Sequence, residues 1–365
     1  YIKALNRRAV ATEQLGEKSA ANGAEGDRAR ERLEQSLSDF TAVAILGQFR
    51  DVNATASVER VLRKLASGKA KMILSKREPR LPSPTFVKAY LDAFRPKPAP
   101  SIGDDAPQGD QTLKRAFEAL EAQDYAHSLS FFQEALQQGL STKELEAAAL
   151  NMHGTYMFVM GEAKRALEDL DRSIELCPEN VQTWVKKASV HVELGDKDAA
   201  MADFDRAVAL NADDPDIYYH RGQVHFILGE FEAAMSDYSK STSLDDTFIF
   251  SQVQHAVASY KLGNIARSTA EFCRILKKFS DSSESYNYFG ELMLDQQRHE
   301  DAVANFDKSI ALEQAKPKGK NVLPMINKAL VLFQWKQDLS GAEQLCRDAL
   351  RIDPCLLYTS PSPRD

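Results

Sequence analysis

The sequence is short of cysteine, short of long apolar runs, and without the motifs that mark a catalytic or metal centre. Four cysteines (Cys177, Cys273, Cys346, Cys355) scattered through 365 residues exclude a disulfide framework and a zinc site, which need closely spaced pairs, and fit a reducing compartment. No run approaches the roughly eighteen apolar residues of a membrane-spanning helix, and the longest candidate, residues 40–47, sits inside a helical pattern. There is no signal peptide; the chain opens at Tyr1 in mid-pattern and reads as a fragment. HExxH, CxxC and a glycine-rich phosphate loop are all missing: Gly319-Lys320 is followed by Asn321 and has no upstream glycine. His191 and His225 hold one repeat position rather than converging, and His220 with His225 is not a helical metal spacing. No Ser–His–Asp grouping emerges from the residue order, and Asn53-Ala-Thr55 is a glycosylation sequon by its letters alone. No enzyme, no metal site and no cofactor are expected.

What is present is a folding composition, 43% hydrophobic and 27% charged, with enough apolar surface to order the chain. The net charge of −7 is unevenly spread. Residues 1–110 carry 19 basic side chains against 14 acidic, and residues 111–354 carry 26 against 38. An acidic body argues against nucleic acid as a partner, since phosphate binding needs a basic face, and suits a basic partner instead.

The strongest signal is a repeat. Gly161, Gly195, Gly229 and Gly263 stand 34 residues apart, and one more step lands on Gln297. Seven residues before these turn positions come Gly154, Ala188, Gly222, Ala256 and Gly290; five after come Ala166, Ala200, Ala234, Ser268 and Ala302. Nine after come Leu170, Phe204, Tyr238, Phe272 and Phe306, while Trp184, Tyr218 and Tyr286 lie eleven before. The pattern resembles the tetratricopeptide repeat, in which each unit is a pair of antiparallel helices. Small residues at two positions let the paired helices approach, the bulky ones fill the wedge between units, and glycine takes the left-handed turn. The expected fold is all-α: a right-handed superhelix of helix pairs, an α-solenoid, with about seven repeats over residues 111–354.

Weaker units flank the core array. Residues 109–140 read as one more pair, with Ala116, Tyr125, Phe132 and Ala135; residues 322–354 read as another, with Ala329, Ala342 and Ala349 and a lengthened turn near Gln337. Residues 1–50 read as the last repeat of a separate domain, with Ala9 at the small position, Gly16 at the turn, and an insertion at 17–30 that delays the second helix to Glu31. Residues 56–77 form an amphipathic helix (Val58, Val61, Leu62, Leu65, Ile73), and seven of the fourteen prolines fall between Pro79 and Pro107. Residues 51–110 are therefore expected to be a helical and proline-rich connector. The tail 355–365 breaks the pattern and reads as non-native.

Three segments resemble a particular family beyond the generic repeat. Tyr219-His-Arg-Gly-Gln223 within residues 217–228, Leu81-Pro-Ser with the stretch 89–96, and Lys3-Ala-Leu-Asn-Arg-Arg-Ala9 are similar to the large tetratricopeptide receptor of the mitochondrial outer-membrane protein translocase. The order of parts matches as well, and the resemblance runs over residues 1–354. It implies a receptor on the cytosolic face of the mitochondrial outer membrane. Such a receptor takes precursor proteins from cytosolic heat-shock chaperones and works beside other translocase subunits. The membrane anchor, the first two repeats and the final helices would lie outside these residues. The nearest alternative is a soluble tetratricopeptide co-chaperone or scaffold.

The resemblance also implies two binding sites. Lys3 and Arg7, four apart and side by side on a helix, fall where the family's third repeat supplies Lys and Arg to a clamp for the carboxyl-terminal Glu-Glu-Val-Asp of chaperones. Fixed cationic donors suit a terminal carboxylate; Arg8 falls on another side and is expected to be structural. In repeats of this kind, positions five, nine and twelve of each first helix face a groove. The groove residues singled out are Phe158, Val192, Glu193, Tyr219, Gln223, Phe226, Val253, Val257, Tyr260, Asn287, Glu291, Leu294 and Asp295. An apolar, aromatic wall with acidic points suits the apolar face of a basic amphipathic helix or a hydrophobic precursor segment. The basic run over residues 60–80 is expected to be a solvated face, with contact to lipid headgroups as the alternative.

Overall fold

The computed structural model describes residues 2–21, 26–76 and 78–354, and every regular element among them is helical. The tail read as non-native, Cys355 included, lies outside the described residues, as does part of the 17–30 insertion. Contacts divide the chain after Glu78 into two compact units.

The first unit is a helical hairpin with a third helix packed on it: α1 (Ile2–Ala21), α2 (Gly26–Leu46) and α3 (Val52–Lys76). Ala9, Phe40 and Val61 are buried together at the centre. Several expectations fail here. Gly16 is not a turn: α1 runs on past it to Ala21, and a Cβ at Gly16 would meet Leu33 Cγ at 3.0 Å. The glycine therefore permits close approach of α1 and α2, and the second helix begins at Gly26 rather than Glu31. The basic run is also not simply solvated. Arg60 makes a bidentate pair to buried Glu13 (3.0 and 2.8 Å), joined by Lys64 at 2.8 Å. These bonds, Arg60 foremost, hold the Glu13 carboxyl down at about 2. Arg8 fills its structural role with a bidentate pair to buried Asp39 at 2.7 Å. Leu62 and Ile73 point to solvent, so only part of the expected α3 stripe is core.

The second unit carries α4 (Pro84–Asp92) and seven helix pairs. The pairs are α5 (Gln108–Glu121) with α6 (Tyr125–Gln138), α7 (Lys143–Val159) with α8 (Ala163–Leu176), and α9 (Val181–Glu193) with α10 (Lys197–Leu210). They continue with α11 (Pro215–Ile227) and α12 (Phe231–Leu244), α13 (Ile249–Lys261) and α14 (Ile265–Lys278), α15 (Ser283–Asp295) and α16 (His299–Ala315), and α17 (Leu323–Val331) and α18 (Leu339–Ile352). Gly161, Gly195, Gly229 and Gly263 turn with φ between 76° and 82°. Each turn closes by a bond from the next N–H to the carbonyl five residues back, such as Glu162 to Met157 at 2.9 Å, the closure that a left-handed residue permits. Gln123 and Gln297 take the same conformation (φ 61° and 60°) and the same bond. The last turn is wider: a π-helical turn, Leu332–Lys336, precedes Gln337, and Asp338 N–H reaches back to Leu332.

The small positions are small because there is no room. A Cβ at Gly222 would lie 2.8 Å from Tyr238, and one at Gly290 would lie 2.6 Å from Phe306. Leu170, Phe204, Tyr238, Phe272 and Phe306 are fully buried. Buried serines tie second helices to first ones. Ser128 and Ser268 donate to the carbonyls of Ala116 and Ala256, and Ser173 and Ser309 to those of Ala147 and Ser283.

The 51–110 segment is not a single connector. Its first part is α3, which packs in the first unit, and residues 79–107 belong to the second. Within them Ser83 caps α4 by accepting from Phe86 N–H (3.2 Å), and Pro84 stands at the first helical position, where its missing N–H costs nothing.

A candidate binding groove on the inner face of the array

The helix α4 and the two residues after it lie along the first helices of successive pairs. Phe86, Val87, Tyr90, Leu91 and Phe94 form the stripe of a short amphipathic helix. Val87 and Phe94 are buried, while Tyr90 sits 5.4 Å, centroid to centroid, from Phe158 on α7. Phe94 stacks on the His220 ring of α11 at 4.0 Å, with the Lys186 ammonium of α9 at 5.3 Å from its centroid. At the other end, Thr85 meets Asp353 and the Lys320 carbonyl. Gly319 lies against Gln123 and Lys88 so closely that a Cβ there would overlap the Gln123 side chain. The loop at 316–322 thus reaches the first pair of the array.

Arg95 is held from three sides. Its Nη1 is 2.5 Å from Asp216 and its Nε 2.5 Å from Asp245. Its backbone N–H donates to Asp216 at 3.1 Å, and its guanidinium lies 4.0 Å from the centre of the Phe248 ring. Burial would lift the Asp245 carboxyl, but the bonds from Arg95 and Thr247 hold it at about 2. The aromatic slot beside it strands two bases. Burial pulls His220 down to about 3, the Ala93 backbone offsetting part, and its Nε2 has no partner. Burial likewise pulls Lys186 to about 7; its Nζ is 2.7 Å from the neutral oxygen of Asn151.

Of the groove residues expected from the sequence, Tyr219, Gln223, Phe226 and Asn287 line one cavity of about 300 Å³ beside α4. Gln254, Tyr288 and Lys316 share it, and Gln223 donates to the Tyr219 hydroxyl at 2.6 Å. Phe158 and Val192 lie on the stretch that α4 and Phe94 cover. Asn287 and Glu291 bond each other (2.7 Å), and both accept from Asn327 of α17. Burial raises the Glu291 carboxyl. Tyr260 donates to Asp295 at 2.6 Å, which pushes the phenol up to about 12. Val257 and Leu294 are half-buried beside that pair. Val253 is fully buried in the core between pairs, out of reach of a ligand, and Glu193 is exposed. The expected wall is thus partly occupied rather than open. Lys3 and Arg7 are both exposed on α1.

Sequence reasoning missed α4 itself, together with Lys186, Asp216, His220, Asp245 and Asn327. The amphipathic stripe at 86–94 was the available signal, and the surrounding prolines masked it. Among the described residues no cluster of His, Cys, Asp or Glu could hold a metal. No described helix is long and apolar enough to cross a membrane.

Family models described as TPR repeat and Tetratricopeptide repeat match residues 188–229 and 215–248. The mitochondrial import receptor subunit TOM70 of Homo sapiens is 28% identical over 97% of this chain and 59% of its own length. That of Saccharomyces cerevisiae (strain YJM789) is 27% identical over 97% and 61%. The chain therefore spans about three-fifths of these relatives. The crystal structure of yeast Tom70 superposes with a TM-score of 0.69 at 25% identity, over 98% of this chain and 74% of that one. A tetratricopeptide repeat protein from Parabacteroides merdae, at 16% identity and a TM-score of 0.51, shares the fold over 67% of this chain. This is an all-α tetratricopeptide-repeat protein, similar in sequence and fold to the mitochondrial import receptor subunit TOM70 over nearly all of its length.

Proposed function

We propose that the chain is the ligand-binding part of an import receptor on the cytosolic face of the mitochondrial outer membrane, whose array takes helical segments of precursor proteins. One observation carries this reading: a chain similar to TOM70 over 97% of its length has an inner groove already shaped around a short amphipathic helix. An amphipathic helix in an apolar groove is a recurring mode of peptide recognition, with apolar anchors giving affinity and charges giving orientation. The residues placed to meet such a segment are Tyr219, Gln223, Phe226 and Asn287 around the cavity. Tyr260, Glu291 and Asp295 supply polar and acidic points beyond it, and Leu294 and Val257 an apolar floor. Lys3 and Arg7, exposed on α1, are the donors available to the terminal carboxylate of a chaperone's Glu-Glu-Val-Asp tail. Other translocase subunits would receive the precursor.

The test is binding of the full chain to a peptide array covering a polytopic mitochondrial membrane precursor. Capture of its hydrophobic and basic segments, lost in Gln223→Ala with Phe226→Ala, is the expected result. A helical, cooperatively folded chain that captures none of them contradicts the reading. For the amino-terminal site, a peptide ending in Glu-Glu-Val-Asp should bind more weakly to Lys3→Ala with Arg7→Ala.

A further inference from the structure

We infer that Asp216, Asp245 and Phe248, with the slot formed by His220 and Lys186, are a receptor for an aromatic–arginine pair at the end of a short amphipathic helix. Phe94 and Arg95 fill it in cis, and an incoming segment of the same chemistry takes their place. The inference rests on the proposed groove function for the identity of that segment, but not for the socket itself.

The socket is built. Two carboxylates take two different edges of one guanidinium at 2.5 Å, and an aromatic ring covers its face at 4.0 Å. That arrangement matches the planar donor fork of arginine, where the single ammonium of lysine would leave carboxylate acceptors unmatched. The slot next to it presents the flat face of His220 to a ring, so the pair is read in order, aromatic then arginine.

The occupant is held in a way that permits exchange. From residue 84 to residue 95 only Val87 and Phe94 are buried, and Pro84 and Ala89 stand in solvent. Prolines at 82, 84, 96, 98 and 100 bracket the segment and keep α4 from propagating into its neighbours. Docking leaves a cavity of about 300 Å³ beside α4. It also leaves the His220 Nε2 without a partner and a lysine facing a neutral acceptor. A longer helix that entered the cavity would recover contacts α4 does not make.

The experiment uses a labelled peptide of residues 84–97 in trans. It should bind the Phe94→Ala/Arg95→Ala chain and compete poorly for wild type, whose socket is filled. The same peptide with Arg95→Ala should bind at least about tenfold more weakly. Equal binding to variant and wild type, or indifference to the arginine, would overturn the socket. Should the double variant fail to fold, hydrogen exchange of the wild-type chain answers instead. Excess peptide should speed exchange across residues 84–95, and unchanged protection overturns the proposal. Precursor capture with unchanged α4 exchange sinks the displacement and spares the receptor reading. A working socket with no precursor capture does the reverse.

Discussion

The two ends of the inner face use one repeat for opposite ends. Across α7, α9 and α11 the face is filled by aromatic rings and a guanidinium supplied from outside the repeat, by Tyr90, Phe94 and Arg95. Across α13, α15 and α17 it is polar and satisfies itself: Asn327 bridges Asn287 and Glu291, and Tyr260 bonds Asp295. The cavity lies where the covered end gives way to the uncovered one, touching Tyr219 on one side and Asn287 on the other. The helix-pair packing beneath is the same at both ends, with a glycine under an aromatic ring at Gly222 and at Gly290. The difference between the two ends therefore lies in the side chains on the inner rows and in what covers them.

The largest effect should come from Arg95→Ala, which leaves Asp216 buried without its cation. Docking of residues 84–95 should weaken by roughly 3 kcal/mol, read as faster hydrogen exchange there, with the polar end unaffected. Next, Gly222→Ala and Gly290→Ala should each cost about 1–3 kcal/mol in denaturant unfolding, since a Cβ overlaps a ring in both. Equal costs would place the contrast on the inner face alone, and unequal ones would move it into the packing.

Acidity should act on the covered end. His220 is held near 3 when docked, against an ordinary 6.5, and Lys186 near 7 against 10.5. Burial is the main cause in both; Arg95 and Lys186 add to it at His220 and Lys97 at Lys186, while the Ala93 backbone and Asp214 oppose it at His220 and Asp216 at Lys186. The released state binds the extra protons, so docking weakens as pH falls from 10.5 to 7 through Lys186 and from 6.5 toward 3 through His220. Affinity of the trans peptide for the Phe94→Ala/Arg95→Ala chain should fall by up to about tenfold per pH unit below 6.5. At the polar end the sign is reversed. Burial raises the Glu291 carboxyl, so the folded state keeps its proton longer and stability falls as pH rises above 4.5. Glu291→Gln should remove that slope and slightly stabilise the protein at neutral pH, measured by unfolding across pH. Smallest of all, Gln297→Gly should gain about 0.5 kcal/mol by relieving a left-handed glutamine at φ 60°.

The repeat frame was readable because steric exclusion recurs: Gly222 and Gly290 admit no Cβ, and Gly161 must take a positive φ. The inner rows share that period, so Tyr219, Gln223, Phe226 and Asn287 could be named as groove residues. Their occupancy could not. It depends on Phe94 and Arg95, which lie outside the period and meet His220, Asp216 and Asp245 across more than a hundred residues of chain, Phe94 on His220 and Arg95 on the two aspartates. Gly16 misled for a related reason: a glycine permits a turn and a close approach alike, and only the neighbour, Leu33, decides which. Asn327 escaped notice because its partners sit on a different pair, 36 and 40 residues away.

The central claim is that the inner face holds residues 84–95 as an exchangeable occupant. The most direct measurement is the distance between spin labels at Ala89 on α4 and Glu343 on α18, with and without a saturating basic amphipathic peptide that carries a Phe-Arg pair. A narrow distribution that shifts and broadens as the peptide binds is the predicted result. A distribution unchanged while the peptide is demonstrably bound would make α4 a permanent wall of the groove and contradict the account.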